Sequence, residues 1–182
     1  MPFLPTAIQG LLIFEPKVFE DNRGYFFESY NENIFKEQGI DTRWVQDNQS
    51  CSPYGVIRGL HYQLPPFAEI KLVRCIAGAV FDVIVDLRKN SDTFLQWFGT
   101  ELSATNKKMI YIPQGFAHGF ETLSDDCELL YHHSQYYQPG SEGGIKYDDK
   151  LINIAWPGEV TNISKRDEEH PLLDKNFEGI NV

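Results

Sequence analysis

The chain has little cysteine, little methionine and no surplus of positive charge. Cys51, Cys75 and Cys127 are the three cysteines of 182 residues. They are odd in number, widely spaced and form no Cys-x-x-Cys pair, so neither a disulfide framework nor a cysteine zinc cluster organises the fold. Three small apolar side chains in a reducing compartment is the simpler reading. With 16 Lys and Arg against 26 Asp and Glu, the formal net charge is -10. That is the wrong sign for broad contact with nucleic acid or an anionic membrane surface, both of which need a basic face. No apolar run approaches the ~20 residues of a membrane-spanning helix, and the N-terminus lacks a basic stretch followed by a long apolar one. A soluble cytoplasmic protein is expected. Linkers, repeats and low-complexity tracts are also missing, so the whole of 1–182 is expected to form one domain with its own core.

What the chain does have is many short β-rich runs: 11–14, 24–30, 56–62, 70–76, 80–87, 95–100, 108–112, 119–123 and 128–137. Breakers such as Asn22, Ser52-Pro53, Pro65-Pro66, Ala77-Gly78 and Asn90-Ser91 separate them. Short strands at regular spacing predict an all-β sandwich or barrel. One helix is predicted from Asn31 to Gln38, where Asn31 can cap, Ile34 and Phe35 form an apolar side and Gly39 ends the run. A second short turn or helix is expected within 165–174, limited by Pro171.

Three segments carry candidate chemistry: Arg58-Gly-Leu-His-Tyr-Gln63, Lys71-Leu-Val-Arg74 and Ile112-Pro-Gln-Gly-Phe-Ala-His-Gly-Phe120. They put histidines, an ammonium and guanidinium groups on strands, where a rigid sheet can hold them around one cavity. If Arg23, Arg58, Lys71 and Arg74 converge, an acidic protein would hold a small positive pocket suited to a phosphorylated metabolite. Strand alternation places Tyr131, His133 and Tyr137 on one face but gives Arg58 and His61 opposite parity, which a bulge at Gly59 would reconcile. Pro113-x-Gly-x-x-His118 has the spacing of the second cupin motif, and 59–78 occupies the place of the first. Metal-binding cupins have His-x-His there, whereas here Gln63 stands for the second His. A site from His61, Glu69 and His118 would therefore be a poor imidazole set, and no bound metal is expected.

The chain resembles the bacterial dTDP-4-dehydrorhamnose 3,5-epimerases almost end to end. The match runs through Asp21-Asn-Arg-Gly-Tyr-Phe-Phe-Glu28, Val45-Gln-Asp-Asn-Gln-Ser50, 55–63, Lys71-Leu-Val-Arg74, 80–88, 102–107, 112–120, Leu129-Leu-Tyr131, Tyr136-Tyr137 and 164–167. The resemblance implies a double-stranded β-helix, or cupin jelly roll, with a few short helices, and an isomerase without a cofactor. Its substrate would be a dTDP-linked 4-keto-6-deoxyhexose inverted at C3 and C5. A 4-keto sugar has acidic C–H groups beside the carbonyl, so inversion needs a base on one face and an acid on the other. By the resemblance His61 is the base, Asp167 its carboxylate partner, Tyr131 the acid, and Lys71 the ammonium that stabilises the enolate oxygen. A histidine titrates near neutrality and a tyrosine stays protonated there. Arg58 and His118 fall near pyrophosphate and sugar, while Arg23, Glu28, Gln46, Asp47 and Asn48 fall at the nucleotide end. Tyr137 matches the aromatic that stacks on the base, and Glu142 and Arg166 match further ligand contacts. The family also implies a homodimer whose N-terminal strands cross to the partner.

Several positions depart from the family pattern. Glu69 stands where Gln is usual, His132 and His133 where Lys and a small polar residue are usual, and Tyr147 where Trp is usual. A carboxylate at 69 is expected to act on His61 or Lys71. The rivals are a mono-epimerase, an epimerase of another nucleotide sugar, a metal-dependent cupin, and an inactive sugar-nucleotide-binding module.

Overall fold

Residues 2–182 are described by the structure, a computed structural model. In chain order the strands are β1 (Phe3–Pro5), β2 (Leu12–Phe14), β3 (Phe19–Asp21), β4 (Gly24–Phe26), β5 (Gln46–Ser52), β6 (Val56–Gln63) and β7 (Lys71–Ala77). They continue with β8 (Ala79–Asp86), β9 (Trp97–Ser103), β10 (Met109–Ile112), β11 (Phe116–Thr122), β12 (Cys127–His133), β13 (Glu142–Gly144) and β14 (Asn162–Ile163). The helices are α1 (Glu32–Glu37) and α2 (Lys165–Glu168).

Two sheets face each other as a jelly roll. One has the order β1-β2-β10-β7-β12-β5, the other β13-β6-β11-β8-β9, with β14 added parallel to β6. Val73 and Cys75 of β7, Ile110 and Ile112 of β10 and Leu129 of β12 meet Val80 and Ile84 of β8, Leu102 of β9, and Phe116 and Phe120 of β11 in the core between them. Both outer faces are covered as well. Leu60, Val83, Val85 and Ala117 lie under Ile145, Ile152 and Ile180 from the C-terminal segments, and Leu72, Met109 and Tyr111 lie under Phe35 and Ile40. Double coverage explains why β8 reads as an apolar run rather than an alternating one.

Helix α1 forms as predicted: the Asn31 side chain accepts from the Asn33 N–H at 3.1 Å, and Gly39 takes a positive φ of 86° just past the end. Its Phe35 is fully buried and packs edge-on to Phe3 at 4.9 Å, a burial that stabilises the fold by about 1.5–3 kcal/mol. Helix α2 is shorter than the 165–174 expectation, ending before Pro171, with Ser164 accepting from the Asp167 N–H at 3.1 Å.

Other expectations need correction. The 24–30 run is a strand only over Gly24–Phe26, in a hairpin with β3, and Tyr30 instead packs on Phe35. The 128–137 run leaves the sheet after His133. Strand β5 was not predicted, because Gln46-Asp-Asn-Gln-Ser-Cys-Ser52 is almost wholly polar and shows no apolar alternation.

Candidate active site

One end of the space between the sheets is not filled by core side chains. It forms a cavity of about 270 Å³ lined by Gln46, Asn48 and Ser50 of β5, Arg58, His61 and Gln63 of β6, Lys71 of β7, His118 of β11, and Tyr131 and His133 of β12, with Glu69, Tyr137, Glu142 and Arg166 around them. Alternation sorts these residues from their neighbours: on β12, Tyr131 and His133 face the cavity, as does Tyr137 beyond the strand end. On β7, Lys71 faces the cavity and Val73 and Cys75 the core, while Leu72 packs on the outer layer.

Strand β6 breaks this rule, since Arg58 and His61 have opposite parity yet both reach the cavity. The pairing with β11 shows how: His61 sits opposite His118 and Arg58 opposite Phe120, so two residues of β6, Gly59 and Leu60, are set against one of β11, Gly119. The extra residue is absorbed at Gly59, which has φ 123°. A Cβ there would lie 2.6 Å from the Gly119 Cα, so glycine is required both by the conformation and by the close strand approach.

The His61 Nε2 lies 2.7 Å from Asp167 Oδ1, and the other carboxylate oxygen accepts from the Gly59 N–H at 3.2 Å. Burial alone would raise the Asp167 carboxyl, but the His61 hydrogen bond and charge, the Gly59 amide and His170 outweigh it and hold the group below its usual range. An ionised Asp167 accepts from Nε2–H, which leaves Nδ1 as the basic nitrogen of a neutral His61 ring. His61 is partly open to the cavity, its side chain 30% exposed against 5% for Asp167. His170 was not singled out from sequence. It packs edge-on to His61 with ring centroids 5.3 Å apart. Burial and then the His61 charge push its own pKa down. It sits where a side chain at Gly144 would collide with it.

The other sheet supplies Tyr131. Its hydroxyl lies 3.0 Å from the Ser50 hydroxyl. Burial pushes the phenol far above its ordinary range, against a smaller opposing effect of the Ser50 bond, so the proton stays on throughout the neutral range. Lys71 pairs with Glu69 at 3.1 Å, both side chains 10% exposed. Thus the carboxylate at 69 acts directly on Lys71. His61 is served by Asp167 instead. His118 is buried against Asp82 at 2.8 Å. At the mouth, Arg58 donates from Nε to the Ser52 hydroxyl at 2.9 Å, Tyr137 donates to Glu142 at 2.8 Å, and Arg166 contacts the same Glu142 carboxylate.

Besides Asp167, which stands behind His61, the structure leaves four predicted residues outside this cavity. Asp47 points from the opposite face of β5 and pairs with His132 Nδ1 at 2.6 Å. Arg23 lies on the exposed β3–β4 hairpin beside Asp21, and Glu28 accepts from the Asn31 side chain at 3.1 Å. Arg74 does not join the positive pocket, because strand parity turns it outward over the Phe27 ring at 5.8 Å. Ser50 and His133 were missed as site residues, although the alternation of Tyr131 and His133 pointed to the latter. His61, Glu69 and His118, the cupin-type metal candidates, each engage a different protein partner. Among the described residues, His61, Asp167 and His170 bring ligand-type atoms within 4.8 Å of one another.

Thus a partly open histidine from one sheet, backed by a buried carboxylate from α2, and a partly buried, protonated tyrosine from the other sheet share a cavity with an ammonium and two guanidinium groups. The family model described as dTDP-4-dehydrorhamnose 3,5-epimerase matches residues 5–175. The chain belongs to the dTDP-4-dehydrorhamnose 3,5-epimerase family, and it is an isomerase. A dTDP-4-dehydrorhamnose 3,5-epimerase of Salmonella typhimurium is 52% identical over 96% of this chain and 97% of its own. The fold matches a dTDP-6-deoxy-D-glucose-3,5-epimerase from Legionella pneumophila, solved in complex with dTDP-4-keto-L-rhamnose, with a TM-score of 0.92, 44% identity and coverage of 99% and 98%. A dTDP-4-dehydrorhamnose 3-epimerase of Streptomyces niveus is 38% identical over 95% of this chain and 84% of its own. Among the described residues no helix is long and apolar enough to cross a membrane.

Proposed function

We propose that the protein inverts C3 and C5 of dTDP-4-keto-6-deoxy-D-glucose to give dTDP-4-keto-L-rhamnose, by two rounds of proton removal and return. His61 Nδ1 takes the proton from the carbon beside the ketone, and Asp167 stabilises the imidazolium that forms. Charge moves to the C4 oxygen, where the Lys71 ammonium meets it in a largely buried site. Tyr131 returns a proton to the opposite face, since an enolate carbon is basic enough to take one even from a phenol of raised pKa. Ser50 then donates to the phenolate. Arg58 and Arg166 would hold the pyrophosphate and Tyr137 the base, with Gln46 and Asn48 beside it. The observation that carries this reading is the placement of His61 and Tyr131 on two different sheets around one cavity.

The same reading extends to assembly and location. A cytoplasmic single-domain enzyme that exchanges its N-terminal strands in a homodimer accounts for Arg23 and Glu28, which lie away from the cavity of their own chain. It also accounts for Phe19, Tyr25 and Phe26, exposed on the β3–β4 hairpin. Turnover of dTDP-4-keto-6-deoxyglucose in deuterated water, with deuterium mapped by NMR, tests the reaction. Label at both C3 and C5 is expected. Label at one carbon would establish the mono-epimerase, a reading favoured by the Streptomyces niveus relative, and no label at either would sink the epimerase assignment.

A further inference from the structure

Glu69 and His133, two positions that depart from the resemblance, meet inside the cavity. His133 Nδ1 lies 2.7 Å from Glu69 Oε2, and Glu69 Oε1 lies 3.1 Å from the Lys71 ammonium. On its other side His133 Nε2 lies 3.2 Å from the Asn48 side-chain nitrogen. The Asn48 oxygen accepts from the Gln46 side chain at 3.0 Å, and the Gln46 oxygen accepts from the Tyr137 backbone N–H at 3.2 Å.

The polarity of this chain is set at both ends. A backbone N–H can only donate, so Gln46 must present its oxygen to Tyr137 and its nitrogen to Asn48. Asn48 then presents its oxygen to Gln46 and its nitrogen to His133, so His133 Nε2 accepts and Nδ1 carries the proton. At the other end an ammonium can only donate, which calls for an ionised Glu69 that accepts from both Lys71 and His133 Nδ1–H. Burial would push the Glu69 carboxyl up, but the His133 hydrogen bond and the Lys71 ammonium oppose it and hold the group below its usual range, so the carboxylate form is favoured. The two ends agree on a single tautomer.

Resting on the epimerase reading, we propose that Glu69 and a neutral, Nδ1-protonated His133 are positioning residues that hold the Lys71 ammonium at the reacting oxygen and tie it to the nucleotide-side amides Asn48 and Gln46. The ring of His133 stacks on Tyr131 with centroids 6.1 Å apart and 25° between planes, so one residue braces both the acid and the enolate-stabilising group.

Two measurements test this. Nitrogen-15 NMR of the histidine rings at mildly alkaline pH, with His133 assigned by its loss in His133→Phe, should show an Nδ1–H tautomer in the unmodified enzyme. In steady-state kinetics, Glu69→Gln removes the double acceptor and His133→Phe keeps the stacked ring but strips both nitrogens. Both should lower kcat on the order of tenfold to a hundredfold through a displaced Lys71, with dTDP affinity held within about threefold in Glu69→Gln, which leaves Arg58, Tyr137 and the bond from His133 to Asn48 in place. An Nε2–H tautomer in the unmodified enzyme, or unchanged kcat in both variants, overturns the proposal. The tautomer is read without substrate, so an unmodified protein that fails to epimerise would refute the functional reading and leave this test standing.

Discussion

The two walls of the cavity hold their catalytic side chains in opposite ways. On the β6 wall His61 is partly open, displaced by a bulge at Gly59, and bonded to a carboxylate that stays ionised. On the β12 wall Tyr131 sits in regular register, is partly buried against the core, and touches only a neutral hydroxyl at hydrogen-bond distance. Ion pairing favours a group that must become positively charged, and desolvation keeps a phenol neutral. One cavity thus offers a base and an acid at the same pH because its walls differ in polarity.

Breaking the base wall should have the largest effect. His61→Ala should abolish turnover and, with it, solvent-deuterium exchange beside the ketone; full epimerase activity in that variant would refute the assignment. Tyr131→Phe keeps the ring and removes the donor, so His61 can still deprotonate and return the proton to the same face. Epimerisation is expected to fall further than exchange, measured by NMR on one sample, and equal losses would leave Tyr131 without its role as acid. Asp167→Asn should lower kcat on the order of 10²–10⁴-fold, because the imidazolium loses its partner.

Asp167 also predicts a pH-dependent difference in stability. Its folded pKa is depressed, so its contribution is present above the unfolded carboxylate value of about 3.9 and is lost as pH falls through the lower folded value. The melting temperatures of the unmodified protein and Asp167→Asn should therefore converge at acid pH, and a gap that widens there would contradict the pairing. The smallest effect belongs to the mouth of the cavity. Tyr137→Ala should weaken dTDP binding by roughly 1–3 kcal/mol in calorimetry, the range for base–aromatic stacking.

The apolar strands were legible because β7, β8, β10 and β12 alternate or run continuously against a buried layer, and α1 carried its own start and stop at Asn31 and Gly39. Strand β5 was not, for the reason that makes it useful: its inward residues Gln46, Asn48 and Ser50 face a polar cavity instead of the core, so the hydrophobic period vanishes. Local pattern also failed for Asp167, which reads as one charge in a solvated Lys-Arg-Asp-Glu-Glu run, yet is the buried residue of α2.

The strand-rich class, the capped helix, and the residue types needed to move a proton beside a ketone follow from periodicity and side-chain chemistry alone. Which of them meet is set by the packing of the two sheets. It turned Arg74 and Asp47 away by strand parity and brought His61 into line with Arg58 through one inserted residue. It also buried Asp167 against a histidine 106 positions away and joined Glu69 to His133 and Lys71. Such contacts depend on register between distant strands, and register is set by the packing of both sheets together.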